Sequence, residues 1–373
     1  MSHKTVLLAT RPLVPPWDEA SKNFAYFLGR EVRNYSLTLL TAKELLSGLP
    51  ESVHQEPIFK SGHFDLGAKV SLFSYLRQSR QSFDITHYLF TPTKQNTSLI
   101  KWCAKPQGKT VQTVATLRED LYSKQELQSL LFADRLVVYT ELTKQKLERL
   151  GFTNVTRIYP GIDLNRYQPQ AKDPGILARY HLTLDDFLVI YPGEYTRLGA
   201  TDMLLTAFTT YFTEHPESDI KFLFACRVKH KADHVKREEL RQAVKQSGLT
   251  DKILFEENTT PDMAALYNTA DVVIFPVENL KGKFDVPLVI IEAYACGKSV
   301  ILSDLPQFSE FTNSDICVTI PKDSGEKLIE SLAYIKQNRN IMAHLGENAR
   351  RFAVDHFDLK NTAKQYEEIY ASL

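Results

Sequence analysis

The chain has 373 residues, of which 43% are hydrophobic and 24% charged, with a mean hydropathy of −0.26. That length predicts about two domains, and the composition excludes a disordered chain, a collagen-like repeat and a disulfide scaffold. Basic and acidic side chains number 45 each, but residues 1–165 carry 21 basic and 15 acidic groups and residues 166–373 carry 24 and 30. The two halves therefore oppose each other in charge, which suits either their mutual approach or an anionic partner for the first half. No apolar run reaches the ~20 residues of a membrane span, and the apolar stretch Thr5–Ala9 after Met1-Ser2-His3-Lys4 is too short for a signal peptide before Arg11. A cytoplasmic location is expected. Cys103, Cys226, Cys296 and Cys317 are widely spaced without a C-x-x-C pair, which predicts buried thiols in a reducing compartment and no zinc site.

In chain order, the β-branched and apolar run Thr5–Thr10 predicts a first strand that ends in a loop at Arg11-Pro12. Ser21–Arg30, with Phe24, Phe27 and Leu28 on one face, predicts a helix, and Tyr35–Thr41 the next strand. The alternation continues with strands at Ile85–Phe90, Thr110–Leu117 and Arg135–Tyr139 and a helix at Glu141–Leu150. Strands alternating with helices imply an α/β fold with a parallel sheet covered on both faces. Pro, Gly and Asn then punctuate Tyr159–Pro174, so the domain boundary is placed after Asn165. Strands at Phe187–Tyr191, Ile220–Cys226, Ile253–Phe255, Val272–Pro276 and Ser299–Leu302 follow, with helices at Asp202–Phe212, Lys236–Gln246, Met263–Tyr267 and Ile290–Cys296. Residues 1–165 and 166–359 each read as an open, doubly wound, Rossmann-like sheet, two such domains being expected to face each other across a cleft. The last helix, 360–373, has Ala363, Tyr366, Ile369 and Tyr370 at helical spacing and is expected to pack back on the first domain.

The richest segment is Asp285–Ile301, a short apolar helix that opens near Pro287 and Leu288, closes at Gly297 and feeds a strand. Glu292 interrupts its buried side. A carboxylate among apolar groups needs partners, and its two oxygens suit vicinal sugar hydroxyls as well as backbone or arginine donors. The helix start near Leu288 favours a phosphate through its free amides and dipole.

Here the sequence resembles the family-four retaining glycosyltransferases of the GT-B fold. The resemblance rests on Ala133–Val138 with Leu147–Gly151, on Ile158–Asp163 with Tyr167 and Pro169, and on Tyr191-Pro192-Gly193 leading to Leu204–Phe208. It continues through Tyr267–Pro276, Glu292-Ala293 and Cys296–Ile301. It implies a second half that binds a nucleotide diphosphate sugar, with Glu292 on the ribose and Gly193 and Leu288 near the donor, and a first half that binds the acceptor. Three departures stand out. Of the two carboxylates that the family places around seven residues, the first falls on Phe284, and Asp285 beside it is the donor-binding candidate in its place. The family's diphosphate-gripping Arg and Lys fall on Glu194 and Gly199, which leaves Arg197, Arg227 and Lys229 at strand ends as replacement cations. Arg118 stands where the family often has a histidine that reaches the transferred sugar, whereas His87 matches another histidine that the family often has after a strand and is expected on the acceptor. Pro15–Asn23 replaces the usual glycine-rich turn, and Trp17, Asp18 and Glu19 in it suit stacking on and hydrogen bonding to an acceptor.

No Asp-x-Asp motif and no His/Asp/Glu cluster with metal spacing occurs, so neither a metal nor another cofactor is expected beside the donor. The expected activity is metal-independent, retaining hexosyl transfer from the nucleotide sugar to an acceptor hydroxyl, with Arg197, Arg227 and Arg118 in catalytic positions. A non-catalytic nucleotide-sugar-binding protein of the same fold is the alternative, since the usual acid, lysine and histidine are missing. Nucleic-acid binding is disfavoured because the basic half lacks a compact Lys/Arg stripe with interleaved aromatics. The base is expected to be read around Glu256–Thr260. Donor base, sugar and acceptor identity are left open, as are the oligomeric state and peripheral membrane contact through a lipid-linked acceptor.

Overall fold

A computed structural model describes residues 4–15, 20–90, 92–256, 262–280 and 284–373, apart from the side chains of Ala20 and Cys103. The described chain divides into two compact units, one formed by residues 1–161, 284–286 and 357–373, the other by 162–283 and 287–356.

The first unit has a parallel seven-stranded sheet in the order β3-β2-β1-β4-β5-β6-β7. Its strands are β1 (Thr5–Leu13), β2 (Ser36–Ala42), β3 (Val53–Phe59), β4 (Ile85–Tyr88), β5 (Lys109–Val114), β6 (Arg135–Val138) and β7 (Val155–Arg157). The helices α1 (Ala20–Glu31), α2 (Leu66–Gln78), α3 (Lys94–Cys103), α4 (Lys124–Leu130) and α5 (Glu141–Arg149) connect them. Side-chain oxygens of Asp65, Thr93, Ser123 and Thr140 cap α2 to α5, each accepting a first-turn amide. Two features escape a reading by periodicity. β1 continues through Arg11-Pro12 to Leu13, where its pairing with β2 resumes after an irregularity. β3 has only one neighbour and contains Pro57, which an edge strand tolerates, so it shows no apolar run.

One face of this sheet carries Val6, Leu8, Phe24, Leu28 and Ile85 in one core, joined by Ala363, Tyr366, Ile369 and Tyr370 of the C-terminal helix Leu359–Ala371. The opposite face packs Leu7, Ala9, Phe59 and Tyr88 against Ala68, Leu72 and Leu76 of α2 and Ile100 of α3. Alternate residues of β1 thus feed opposite cores, as the period of two requires.

The second unit has a parallel six-stranded sheet in the order β10-β9-β8-β11-β12-β13. It begins with α6 (Pro174–Arg179) and β8 (Phe187–Tyr191), followed by α7 (Thr201–Glu214), β9 (Ile220–Phe224), α8 (Lys231–Gln246) and β10 (Ile253–Phe255). After these come α9 (Met263–Thr269), β11 (Val272–Phe275), α10 (Leu288–Ala295), β12 (Ser299–Ser303) and β13 (Val318–Ile320), then the helices Gly325–Gln337 and Arg339–Phe357. Strand order reverses between β8 and β11, and such a switch point, beyond the carboxyl ends of the strands, is where open α/β sheets bind ligands. Cys226, Cys296 and Cys317 are buried free thiols. No helix among the described residues is long and apolar enough to cross a membrane.

Candidate functional site

In the second unit the chain leaves β8 at Tyr191 and turns through Pro192-Gly193 into Glu194, which bridges in parallel fashion to Arg227 beyond β9. Gly193 is required by packing: a Cβ there would lie 2.0 Å from Cζ of the Tyr191 ring, which is fully buried. We predict that Gly193→Ala costs about 1–3 kcal/mol through this overpacking, read as a fall in the thermal midpoint of the second unit; an unchanged midpoint would contradict the close approach.

Arg197 follows Glu194 by three residues and chelates its carboxylate, Nε donating to Oε2 at 2.6 Å and Nη2 to Oε1 at 2.8 Å. The residue at the expected arginine position is therefore the acid that holds the replacement arginine. At Gly199, where the lysine of the usual pair is expected, φ is +78° and the space a Cβ would take lies 2.5 Å from the Glu278 carboxyl carbon. Glu278 comes from the segment after β11, and its amide donates to Leu198 O at 3.0 Å. Lys229 is exposed, and its backbone amide donates to Asp233. Asp233 also accepts from the His230 amide and from Thr196 Oγ1 at 2.7 Å, which ties the turn after β8 to that after β9. Asp233 and Glu278 are not legible as site residues in the sequence, because neither belongs to an apolar or glycine motif.

Glu292 lies on the second turn of α10, enclosed by neighbouring atoms while keeping a solvent-accessible edge. Tyr267 of α9 donates its hydroxyl to Oε2 at 3.2 Å, and Tyr167 donates a second bond. Burial pushes both phenols well above their ordinary range, so both stay protonated donors. The same burial is the largest influence on Glu292 and pushes it up to about 7, against the pull of the two tyrosines and of the charges on Arg166 and Arg227. Pro287 precedes α10 without a side-chain cap, and the first-turn amides at Leu288 and Val289 precede the first hydrogen bond, from Ile290 to Pro287 O. Glu292, Leu288, Gly193, Arg197 and Arg227 all belong to this unit. The two tyrosines that orient the carboxylate emerge only from the fold.

The first unit holds three of the expected site residues. His87 is not placed to reach a sugar: it is wholly buried in the sheet core, with Nδ1 2.7 Å from the Tyr370 hydroxyl, Nε2 2.7 Å from Thr113 Oγ1, and its ring stacked on Tyr366. A β4 histidine with both ring nitrogens satisfied by core hydroxyls is a packing residue. Asp285, expected on the donor, falls in the first unit, where Thr143 Oγ1 donates to it at 2.7 Å and the Leu117 amide donates as well. Its own amide binds Ala115 O, and burial raises its carboxyl to about 7. Arg118, expected in a catalytic position, makes a two-point ion pair with Asp120 at 2.8 and 2.9 Å, so it arrives already partnered. Trp17, Asp18 and Glu19 lie outside the described residues, as does 257–260 of the expected base-reading segment. Among the described residues no three His, Cys, Asp or Glu side chains are grouped to hold a metal ion.

Residues 186–338, which run from the start of β8 through the carboxylate site around Glu292, match the model of the family described as glycosyl transferases group 1. Over these residues the second unit is similar to the glycosyl transferases group 1. The matched span carries Gly193, Arg197, Arg227, Lys229, Leu288 and Glu292.

To some curated proteins the likeness extends over most of the chain. The chain is 24% identical over 340 residues to a D-inositol 3-phosphate glycosyltransferase of Thermobispora bispora, covering 88% of this chain and 75% of the relative. It is 27% identical over 247 residues to a protein of the same name from Streptomyces bingchenggensis, covering 64% of this chain and 53% of the relative. The chain thus spans between about half and three quarters of these relatives' length. In fold it is similar to the Anabaena Alr3699/HepE crystal structure in complex with UDP-glucose, with a TM-score of 0.76, 16% identity and 100% coverage of both chains. The fold class is α/β and GT-B, with one seven-stranded and one six-stranded parallel sheet.

Proposed function

We propose that the chain is a retaining glycosyltransferase that moves a hexose from a nucleotide diphosphate sugar to an acceptor hydroxyl, without a metal ion, in the cytoplasm. The observation that carries this reading is the oriented carboxylate of Glu292 inside the matched span, with the charge of Arg227 acting on it and an uncapped helix start at Leu288. The second unit takes the donor: Glu292 accepts from two ribose hydroxyls, while the Leu288 and Val289 amides and Arg227 meet the diphosphate. Arg227 is the first cation to test, because its charge acts on the Glu292 carboxyl. Among the described residues of the matched span no side chain stands out as a nucleophile, so the acceptor attacks from the face the diphosphate leaves, through an oxocarbenium-like state stabilised by charge and positioning. The first unit takes the acceptor, and its excess of basic groups suits an anionic one. The phosphate in the name of the inositol-phosphate relatives fits the same choice.

Calorimetry with UDP-, GDP- and ADP-glucose, with and without a chelator, tests the reading. One donor is expected to bind equally with and without the chelator, and Arg227→Ala to lose about 1.5–3 kcal/mol of its affinity, the worth of a hydrogen bond to a charged group. Arg197→Ala is expected to lose less. Failure of every nucleotide to bind would overturn the reading, and donor binding without transfer to any acceptor would turn it toward a non-catalytic binder.

A further inference from the structure

The helical layer formed by α2 and α3 on one face of the first sheet has an outer side that its own core leaves unused. Ala68, Leu72 and Leu76 of α2 and Ile100 of α3 point into the same core. At 3.6 residues per turn, Leu66 and Val70 lie opposite the buried row of α2, and Leu99 and Trp102 lie opposite that of α3. All four are open to solvent: Trp102 is 86% exposed, Leu66 77%, Val70 62% and Leu99 40%. Large apolar groups gathered on one surface mark an interaction site.

The chain that builds this layer is predominantly basic. Between Leu66 and Lys109 the chain holds seven basic residues, Lys69, Arg77, Arg80, Lys94, Lys101, Lys105 and Lys109, against one acid, Asp84. Asp84 is engaged by the amide and hydroxyl of Thr5. Lys94 pairs with Glu126, and Lys101 donates to Ser129 O. Lys69, Arg77, Arg80 and Lys105 are exposed and make no ion pair among the described residues. A nucleic acid would use the cations but not the exposed aliphatic groups, and an apolar protein partner would use the aliphatic groups but not the cations. A surface with an anionic plane and an apolar layer beneath it uses both, the cations meeting headgroups while Trp102 and the aliphatic side chains enter the interface.

We infer that the outer face of α2 and α3 docks on an anionic lipid bilayer. This inference does not depend on the proposed transferase activity, because its test contains no donor and no acceptor. The chain has two tryptophans, Trp17 and Trp102, so Trp17→Phe leaves Trp102 as the sole reporter. The Trp17→Phe chain is mixed with vesicles of phosphatidylglycerol and phosphatidylcholine in equal parts, and separately with phosphatidylcholine alone. Sedimentation with the anionic vesicles only, together with a blue shift of Trp102 emission, is expected. Each cation removed is expected to lower the partition coefficient about fivefold, corresponding to about 1 kcal/mol per basic residue near an anionic surface. Lys69→Ala with Arg77→Ala should therefore lower it about 25-fold. Trp102→Ser should lower sedimentation at every salt concentration, and its exposure leaves the core intact. Three results overturn the inference: no sedimentation, sedimentation indifferent to these substitutions, or binding of a duplex oligonucleotide in place of vesicles. Trp102 emission already blue-shifted without lipid, and dependent on protein concentration, would also overturn it in favour of self-association.

Discussion

Glu292→Gln is expected to weaken nucleotide-sugar binding by about 10- to 100-fold, since two hydrogen bonds to a charged acceptor become bonds to a neutral one. The substitution keeps the size of the side chain and its contact with Tyr267, so the fold should survive. The pH dependence identifies the cause. Burial raises Glu292 from 4.5 to about 7 in the folded chain. Between those values the folded state holds a proton that the unfolded state has lost, so the stability supplied by the protonated carboxyl is complete below about 4.5 and is lost as pH rises through about 7. The thermal midpoint of the wild type should fall relative to Glu292→Gln across that window, by an amount on the order of 3 kcal/mol of stability. Donor binding runs the other way: ribose hydroxyls donate to the ionised form, so the affinity should rise through pH 7 with release of a proton. Calorimetry in buffers of different ionisation enthalpy measures that release. An affinity independent of pH, or unchanged in Glu292→Gln, would remove Glu292 from the donor site.

His87→Ala is expected to cost about 3–5 kcal/mol of stability in the first unit, read by denaturant unfolding. The substitution opens a cavity beside Tyr366 and leaves the Thr113 and Tyr370 hydroxyls without their imidazole partner. Burial holds the imidazole down at about 3, against 6.5 for the unfolded chain. The folded histidine is neutral, and its contribution, complete above about 6.5, is lost as pH falls toward 3. The gap between wild type and His87→Ala should therefore narrow on acidification. Nucleotide affinity should stay unchanged, because the residue belongs to the first core. A variant of full stability with impaired transfer would restore His87 to the site.

The readable parts of the chain are those in which local periodicity and tertiary burial agree. Thr5–Thr10 and Phe187–Tyr191 are continuous apolar runs because central parallel strands are covered on both faces, and they occur where expected. Glu292 stands out because a charge in an apolar helix is costly without partners. β3 is not evident, since an edge strand has half its surface in water and no apolar run to show. Polar residues in the loops are harder still: Arg118, Arg197 and Asp285 each carry a titratable group, and nothing local says whether it meets a ligand or another side chain.

Sequence alone determined the α/β alternation, the short helix from Leu288 and the place of Glu292 on it, because helix and strand periods and capping residues act within a few positions. Tertiary structure decided which charges are already partnered. Arg197 binds Glu194, Arg118 binds Asp120, His87 lies among Thr113, Tyr366 and Tyr370, and Asp285 answers to Thr143. Tertiary structure also decided that Tyr167 and Tyr267 converge on one carboxylate 25 residues further along the chain from the second of them. Hydrogen bonds and ion pairs act over a few ångströms of space whatever the separation in sequence, and only the folded chain brings their partners within reach.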